Sequence, residues 1–244
     1  MAAVDYFNSQ GGSASGDRRR NVREDFHDAP IDTNTSIVAL HPWSKSYGML
    51  KRAFDLIASA IALISLSPFL LVIAALVKIS SKGEAIFTQI RTGEGGRPFK
   101  MYKFRTMVQD AEELKAHLAE LNELSGPAFK IKADPRITPI GKVLRKYSLD
   151  ELPQLINVLK GEMTLVGPRP PVPAEVIKYK TWQIKRLSVK PGLTCIWQVS
   201  GRNNIDFDNW VRMDIRYIET ASAKTDIKLL FKTISAVASA DGAY

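Results

Sequence analysis

The feature that most constrains this chain is a run of 22 residues, 56–77, with no charged side chain and with lysine and arginine on both flanks. Such a run rules out a plain soluble cytosolic protein. As one helix it would be ~33 Å long at ~1.5 Å per residue, enough for a ~30 Å hydrocarbon core, so a spanning helix is the default expectation. Two features of the same segment argue for another path. Ser67-Pro68 sits near its centre, where proline removes an internal hydrogen bond and pushes its neighbour out of helical geometry. Lys45, Lys51 and Arg52 precede the run, and Lys78, Lys82 and Arg91 follow it. The positive-inside rule then gives a single span no orientation, but it fits a segment that enters and leaves on the cytoplasmic face. Proline also occurs in ordinary transmembrane helices, so these residues leave both the spanning and the re-entrant helix open.

Around this segment the chain divides in three. Residues 1–43 predict a disordered tail, with a Gly-Ser stretch over 11–16, mixed charges and no apolar periodicity. The apolar run begins too late, at Phe54, for a secretory signal peptide. Residues 44–82 predict the membrane anchor, and 83–244 predict one compact domain, for an α+β, mainly helical fold. Residues 99–107 have the aromatic content of a strand. Residues 110–124 place Leu114, Leu118 and Leu121 on one helical stripe, and 153–159 predict a short helix ended by Lys160-Gly161. Residues 178–187 and 227–237 mix apolar residues with lysine and arginine. They read as helices lying in a membrane interface, or equally as amphipathic helices packed on the domain's own core.

Charge narrows the partners without naming one. The chain carries 34 basic and 25 acidic residues, a net +9, which favours nucleic acid, lipid headgroups or a phosphorylated substrate. Cys195 is the only cysteine, which excludes an intramolecular disulfide, and three histidines do not supply the usual zinc set. The Gly93-Glu-Gly-Gly-Arg97 segment is neither a dinucleotide fingerprint nor a P-loop. What remains is Ser148-Leu-Asp-Glu-Leu-Pro-Gln-Leu155, with adjacent carboxylates at Asp150 and Glu151. Ser148 and Glu151 have the spacing of a capping box, a purely structural alternative. The surroundings offer more: Arg145 lies just upstream, Gly167-Pro-Arg-Pro170 makes a stiff turn that would fix Arg169, and Lys103 and Arg105 sit two apart on one strand face. An acidic pair among placed cations suits a phosphate substrate with Mg²⁺, which takes one or two carboxylates plus phosphate oxygens.

Taken together, Lys103-Phe-Arg-Thr-Met107, Arg145, residues 148–155, the run 157–170 ending in Gly-Pro-Arg-Pro, Lys190-Pro-Gly-Leu-Thr194 and Gln198-Val-Ser-Gly-Arg-Asn203 resemble the bacterial monotopic phosphoglycosyl transferases. The likeness covers roughly residues 45–240, with the motifs in unchanged order, and is nearest to the exopolysaccharide-initiating group. It implies a re-entrant helix broken at Ser67-Pro68 and a catalytic domain on the cytoplasmic face of the bacterial inner membrane. It further implies transfer of hexose-1-phosphate, galactose or glucose favoured, from a UDP-sugar to undecaprenyl phosphate with release of UMP. On this resemblance Asp150 is the nucleophile that forms an aspartyl phosphosugar, and Glu151 helps it hold Mg²⁺. Lys103, Arg105, Arg145 and Arg169 bind phosphate, while Arg202, Asp214 and Asp226 are candidate nucleotide-sugar or lipid contacts. Membrane lipid is the further partner, nucleic acid is not, and no oligomeric state is implied. The cations and metal around Asp150 predict a depressed pKa. Cys195 departs from the family, which usually has glycine there; a need for positive φ would make the replacement costly. Two rivals remain: a non-catalytic, membrane-tethered basic module binding anionic lipid or polysaccharide, and a single-span enzyme with its domain outside the cytoplasm.

Overall fold

Helix α1 (Lys45–Ser80) gathers the whole uncharged run into 36 helical residues, capped at its start by Ser44, whose hydroxyl accepts from Tyr47 N. The structure is a computed structural model that describes residues 43–118, 131, 133–200 and 205–239; most of the expected tail, Arg202 and the second half of the 110–124 segment lie outside them. The helix is unbroken in secondary structure through Ser67 and Pro68, and a side chain explains how. Proline at 68 cannot donate to the carbonyl of Ile64, four residues back, and Ser67 Oγ donates to that same carbonyl at 2.8 Å. Only 11% of the most apolar 18-residue window of α1 is buried, so this is no core helix of a soluble protein; it is long and apolar enough to cross a membrane.

The buried residues of α1 fall in two groups, Lys51, Asp55 and Ser59 near the start and Ile73 and Val77 near the end, with none between 60 and 72. The first group is fastened by polar bonds. Lys51 Nζ pairs with Asp226 at 2.7 Å, Arg52 donates to the carbonyls of Val158 and Leu159, and Asp55 accepts from Thr164 Oγ1 at 2.6 Å and from Leu165 N at 3.1 Å. The second group packs on Phe104 and Leu144, where Arg105 donates to the carbonyl and hydroxyl of Ser81 just past the helix end. Two of the expected ligand contacts, Arg105 and Asp226, are engaged by these joints. Arg105 closes the C-terminus of α1, because the strand that carries Lys103 stops at Phe104 and the chain turns away. Asp226 forms a joint: its oxygens are taken by Lys51, Tyr47 and Tyr217.

Strands β1 (Ile86–Thr92) and β2 (Pro98–Phe104) form an antiparallel hairpin with Thr92 opposite Pro98 and Ile86 opposite Phe104. Helices α2 (Ala111–His117), α3 (Pro139–Lys146) and α4 (Gln154–Lys160) follow, the last ended by Gly161 in the left-handed region as the Lys160-Gly161 pair predicts. Short β3 (Thr164–Val166) and β4 (Gly192–Thr194) pair in parallel. There the backbone comes so close that a Cβ on Gly192 would lie 2.0 Å from Gly167 N, and only glycine fits. Helix α5 (Pro173–Val176) is a single turn; α6 (Phe207–Thr220) and α7 (Ala223–Ser239) complete the domain.

Besides the cluster of Ile73, Val77, Phe104 and Leu144, two cores support the site. One joins Met101, Leu155, Val158, Met163, Val166 and Tyr217; the other is Cys195, Trp197, Phe207, Trp210 and Val211. The segment 178–187, open between an interfacial helix and one packed on the domain's own core, holds a 3₁₀ helix, Thr181–Leu187, with Gln183, Arg186 and Leu187 buried and Tyr179 and Trp182 packed on the aromatic core. The domain's own interior claims its aromatic residues. In α7 the opposite holds: Leu229 points inward while Ile227, Phe231 (70% exposed) and Ile234 (67% exposed) line an outer face at helical spacing.

Candidate active site

The acidic pair is presented by an unusual turn. Ser148, the one non-glycine residue with positive φ among the described residues (φ 52°), reverses the chain after α3 and starts a 3₁₀ turn, Leu149–Glu151, ahead of α4. The capping box does not form: Ser148 makes no side-chain cap, and Glu151 faces away toward the hairpin. Glu151 Oε1 accepts from Lys103 Nζ at 2.8 Å and lies 3.5 Å from Arg169 Nη1. Asp150 sits deeper, 6% exposed, where Lys103 and Arg145 both act on its charge. Arg145 is steadied by donating Nε to Thr106 Oγ1 at 3.0 Å. An open cleft adjoins the pair, lined among others by Arg91, Lys103, Glu151, Gln154, Arg169 and Gln198.

Arg91 is the site residue that the sequence reading missed, counted there only as a flanking charge. It donates to the carbonyl of Pro170 at 3.0 Å and to Gln89 Oε1 at 2.7 Å. The hairpin register held the signal: Arg91 lies opposite Phe99, and Phe99, Met101 and Lys103 share one strand face, so Arg91 and Lys103 point the same way.

The two carboxyls are driven apart. Burial pushes Asp150 up to about 6, with the charge of Glu151 adding to it, against the attraction of Lys103 and Arg145. The expected depression of Asp150 is therefore reversed in the protein alone, because desolvation in this turn outweighs its cations. Burial also opposes the charge on Glu151, but Lys103, Arg169 and Arg91 together overcome it and hold Glu151 down at about 2. Burial lowers Lys103, while Glu151 and Asp150 support its charge. Glu151 is thus a fixed counter-ion, and Asp150 the group whose charge the environment leaves poised.

Among the described residues no three His, Cys, Asp or Glu side chains gather in a way that could cage a metal. The acidic donors of the site are Asp150 and Glu151, the latter with one oxygen committed to Lys103. That set fits Mg²⁺ bound by one or two carboxylates with phosphate and water completing the sphere.

The remaining expected contacts fall elsewhere. Asp214 is wholly buried on α6 and paired with Arg186; its burial comes from the amphipathic face Phe207, Trp210, Val211, Asp214, Tyr217 and Ile218. Arg202 lies outside the described residues. Cys195 does not have positive φ, so its side chain adds no backbone strain. Its thiol is buried against Trp197 and Trp210, bonds Gln198 Oε1 at 3.0 Å, and is pushed up by burial, which makes it inert.

Fold and site together define a membrane-associating protein with a buried acidic pair facing a cleft of lysine and arginine, an arrangement fit to hold a phosphorylated ligand. Comparison with known sequences narrows this class: residues 46–240 match the family described as Bacterial sugar transferase, and the chain belongs to that family. It is 46% identical over 199 residues to "Galactosyl transferase CpsE" of Streptococcus agalactiae serotype III, covering 81% of this chain and 44% of that one. It is 43% identical over 201 residues to "Exopolysaccharide production protein ExoY" of Rhizobium meliloti, covering 81% and 89%. It is 44% identical over 205 residues to "Undecaprenyl-phosphate galactose phosphotransferase" of Salmonella typhimurium, covering 82% and 43%. The chain thus spans less than half the length of two of these relatives and most of the third.

Proposed function

We propose that this protein transfers hexose-1-phosphate, galactose or glucose, from a UDP-hexose to undecaprenyl phosphate, as the first step of an exopolysaccharide. The observation that carries the reading is the split acidic pair: Glu151 locked as a counter-ion by Lys103 and Arg169, and Asp150 beside it with a separately tuned carboxyl. At pH 7 a carboxyl pushed up to about 6 is still mostly ionised and is a better nucleophile than an ordinary aspartate. Its oxygen attacks the β-phosphorus of the UDP-hexose; the bond to the bridging oxygen breaks and UMP leaves with the electron pair, so that an aspartyl phosphosugar remains. A phosphate oxygen of undecaprenyl phosphate then attacks the same phosphorus, and the Asp150 carboxylate is restored. Lys103, Arg169 and Arg91 face the transferring diphosphate, and Arg145 stays with Asp150, so the charge spread over the phosphoryl oxygens meets preplaced cations. Asp150 and Glu151 would hold Mg²⁺, which supplies further neutralisation of phosphate charge.

The anchor suits a substrate whose phosphate lies at the membrane surface. A monotopic, re-entrant path for α1, with the domain on the cytoplasmic face, is supported by both ends of the helix fastening to one domain around an exposed apolar middle, and by the basic flanks. The outer face of α7 adds an apolar strip for the interface. Release of UMP from UDP-galactose, UDP-glucose and their N-acetylated analogues, with undecaprenyl phosphate and Mg²⁺, tests the chemistry: Asp150→Asn abolishes it, whereas a non-catalytic basic module would release none even as the wild type. Cysteines placed at residues 20 and 241 test the topology, since the re-entrant path makes both reactive from the same side.

A further inference from the structure

Arg169, whose guanidinium meets Glu151, is also held from the C-terminal part of the chain, and both of its ends lead to helix α6. At the backbone end, Arg186 Nη2 donates to the carbonyl of Arg169 at 3.1 Å and, with its other hydrogen, to the buried carboxylate of Asp214. Arg186 Nη1 donates to Tyr179 Oη at 2.9 Å, which fixes the plane of the guanidinium. At the side-chain end, the Arg169 guanidinium lies 5.9 Å from the centre of the Trp197 ring, and Trp197 stacks on Trp210 at 4.4 Å and 10°. Trp210 and Asp214 are one turn apart on the same buried face of α6.

We propose that Asp214, through Arg186, and Trp210, through Trp197, are positioning residues that hold Arg169 against Glu151 and so set the affinity of the cleft for a diphosphate. Neither touches the ligand. A lysine at 186 would keep a positive charge for Asp214 but lose the planar fork that serves a carboxylate, a carbonyl and a phenol together. Arg169 sits in a turn held by Arg91 at the Pro170 carbonyl and by Gly192 N at the Pro168 carbonyl, and the Arg186 bond ties the Arg169 carbonyl itself to α6 through Asp214. The role of the cleft in binding UDP-sugar is the reading proposed above, and this inference rests on it only for its biological meaning.

The test is a double-mutant cycle on the full-length protein in detergent, with inorganic pyrophosphate as the probe and Mg²⁺ present. Asp214→Asn and Arg186→Lys each weaken pyrophosphate binding by about tenfold when Arg169 is present, and by less than about twofold in the Arg169→Ala background. Trp210→Phe keeps the stack and binds nearly as the wild type does, whereas Trp210→Ala follows Asp214→Asn. Arg186→Lys serves where Asp214→Asn does not fold. Equal losses with and without Arg169 would overturn the proposal, since a merely structural role lowers affinity in both backgrounds alike. A wild-type protein that binds pyrophosphate yet forms no UMP refutes the transferase reading and leaves this cycle to be read as stated.

Discussion

Replacing Lys103 by methionine, which matches its length but not its charge, exposes how much the site depends on one ion pair. Lys103 Nζ and Glu151 Oε1 are 2.8 Å apart with both side chains largely buried. At an effective dielectric constant of about 20 the Coulomb attraction at that distance is about 6 kcal/mol. Loss of the ammonium's own desolvation cost offsets part of this, and removing one member of a buried pair generally costs about 3–5 kcal/mol. At the lower figure, a chain of this size loses ~6–12 °C of melting temperature at pH 7. The pH dependence sharpens the test. Glu151 is held at about 2 in the fold, below an ordinary glutamate, so its stabilisation is full above pH ~4.3 and is lost as pH falls toward 2. The deficit of Lys103→Met is therefore complete at pH 7 and shrinks below about pH 4. Thermal unfolding of both proteins in the same detergent across that range measures it. A variant that melts within about 2 °C of the wild type at pH 7, or a deficit that grows in acid, would refute the assignment of Lys103 as the clamp on Glu151.

Three further outcomes follow from the same geometry. The rate of UMP formation falls as pH drops through about 6, where Asp150 takes up its proton, and excess Mg²⁺ moves that inflection downward because a neighbouring cation favours the carboxylate; a rate flat from pH 5 to 8 contradicts this. Lys51→Met strands the Asp226 carboxylate at the joint between α1 and α7 and costs about 3–5 kcal/mol, read as a lower melting temperature, while a change at exposed Lys82 leaves it within about 1 °C. Gly192→Ala abolishes folding through its clash with Gly167, whereas Cys195→Gly keeps activity at a cavity cost of about 1–2 kcal/mol; protein yield and UMP release separate the two.

The sequence shows the membrane element plainly, because 22 uncharged residues have few other uses, and it shows the acidic pair because Asp150 and Glu151 stand alone among candidate reactive groups. It does not show what surrounds them. The left-handed turn at Ser148 has no propensity signal, since serine rarely adopts it. Arg91 and Arg105 exchange roles between expectation and structure for a reason of register and length: both have the parity of Lys103, but β2 ends at Phe104 and the Arg105 side chain turns to Ser81. The pairing of Asp214 and Asp226 was not legible because their partners lie far along the chain, 28 residues away for Arg186 and 175 for Lys51. Long-range pairs of this kind convert a surface charge on paper into a buried joint in the fold. The Ser67 hydroxyl that repairs the carbonyl left by Pro68 was present in the motif, yet its effect, a helix continuous through its proline, needed geometry to see.

The central claim is that Asp150 carries the phosphosugar. The direct measurement is the mass of the peptide containing Asp150 after the protein is incubated with Mg²⁺ and UDP-hexose in the absence of lipid. The account predicts one added hexose phosphate on that peptide, an equal amount of UMP, loss of both in Asp150→Asn, and discharge of the adduct when undecaprenyl phosphate is supplied. UMP that forms only when lipid is present, with no adduct trapped on Asp150 and kinetics of a ternary complex, would contradict it.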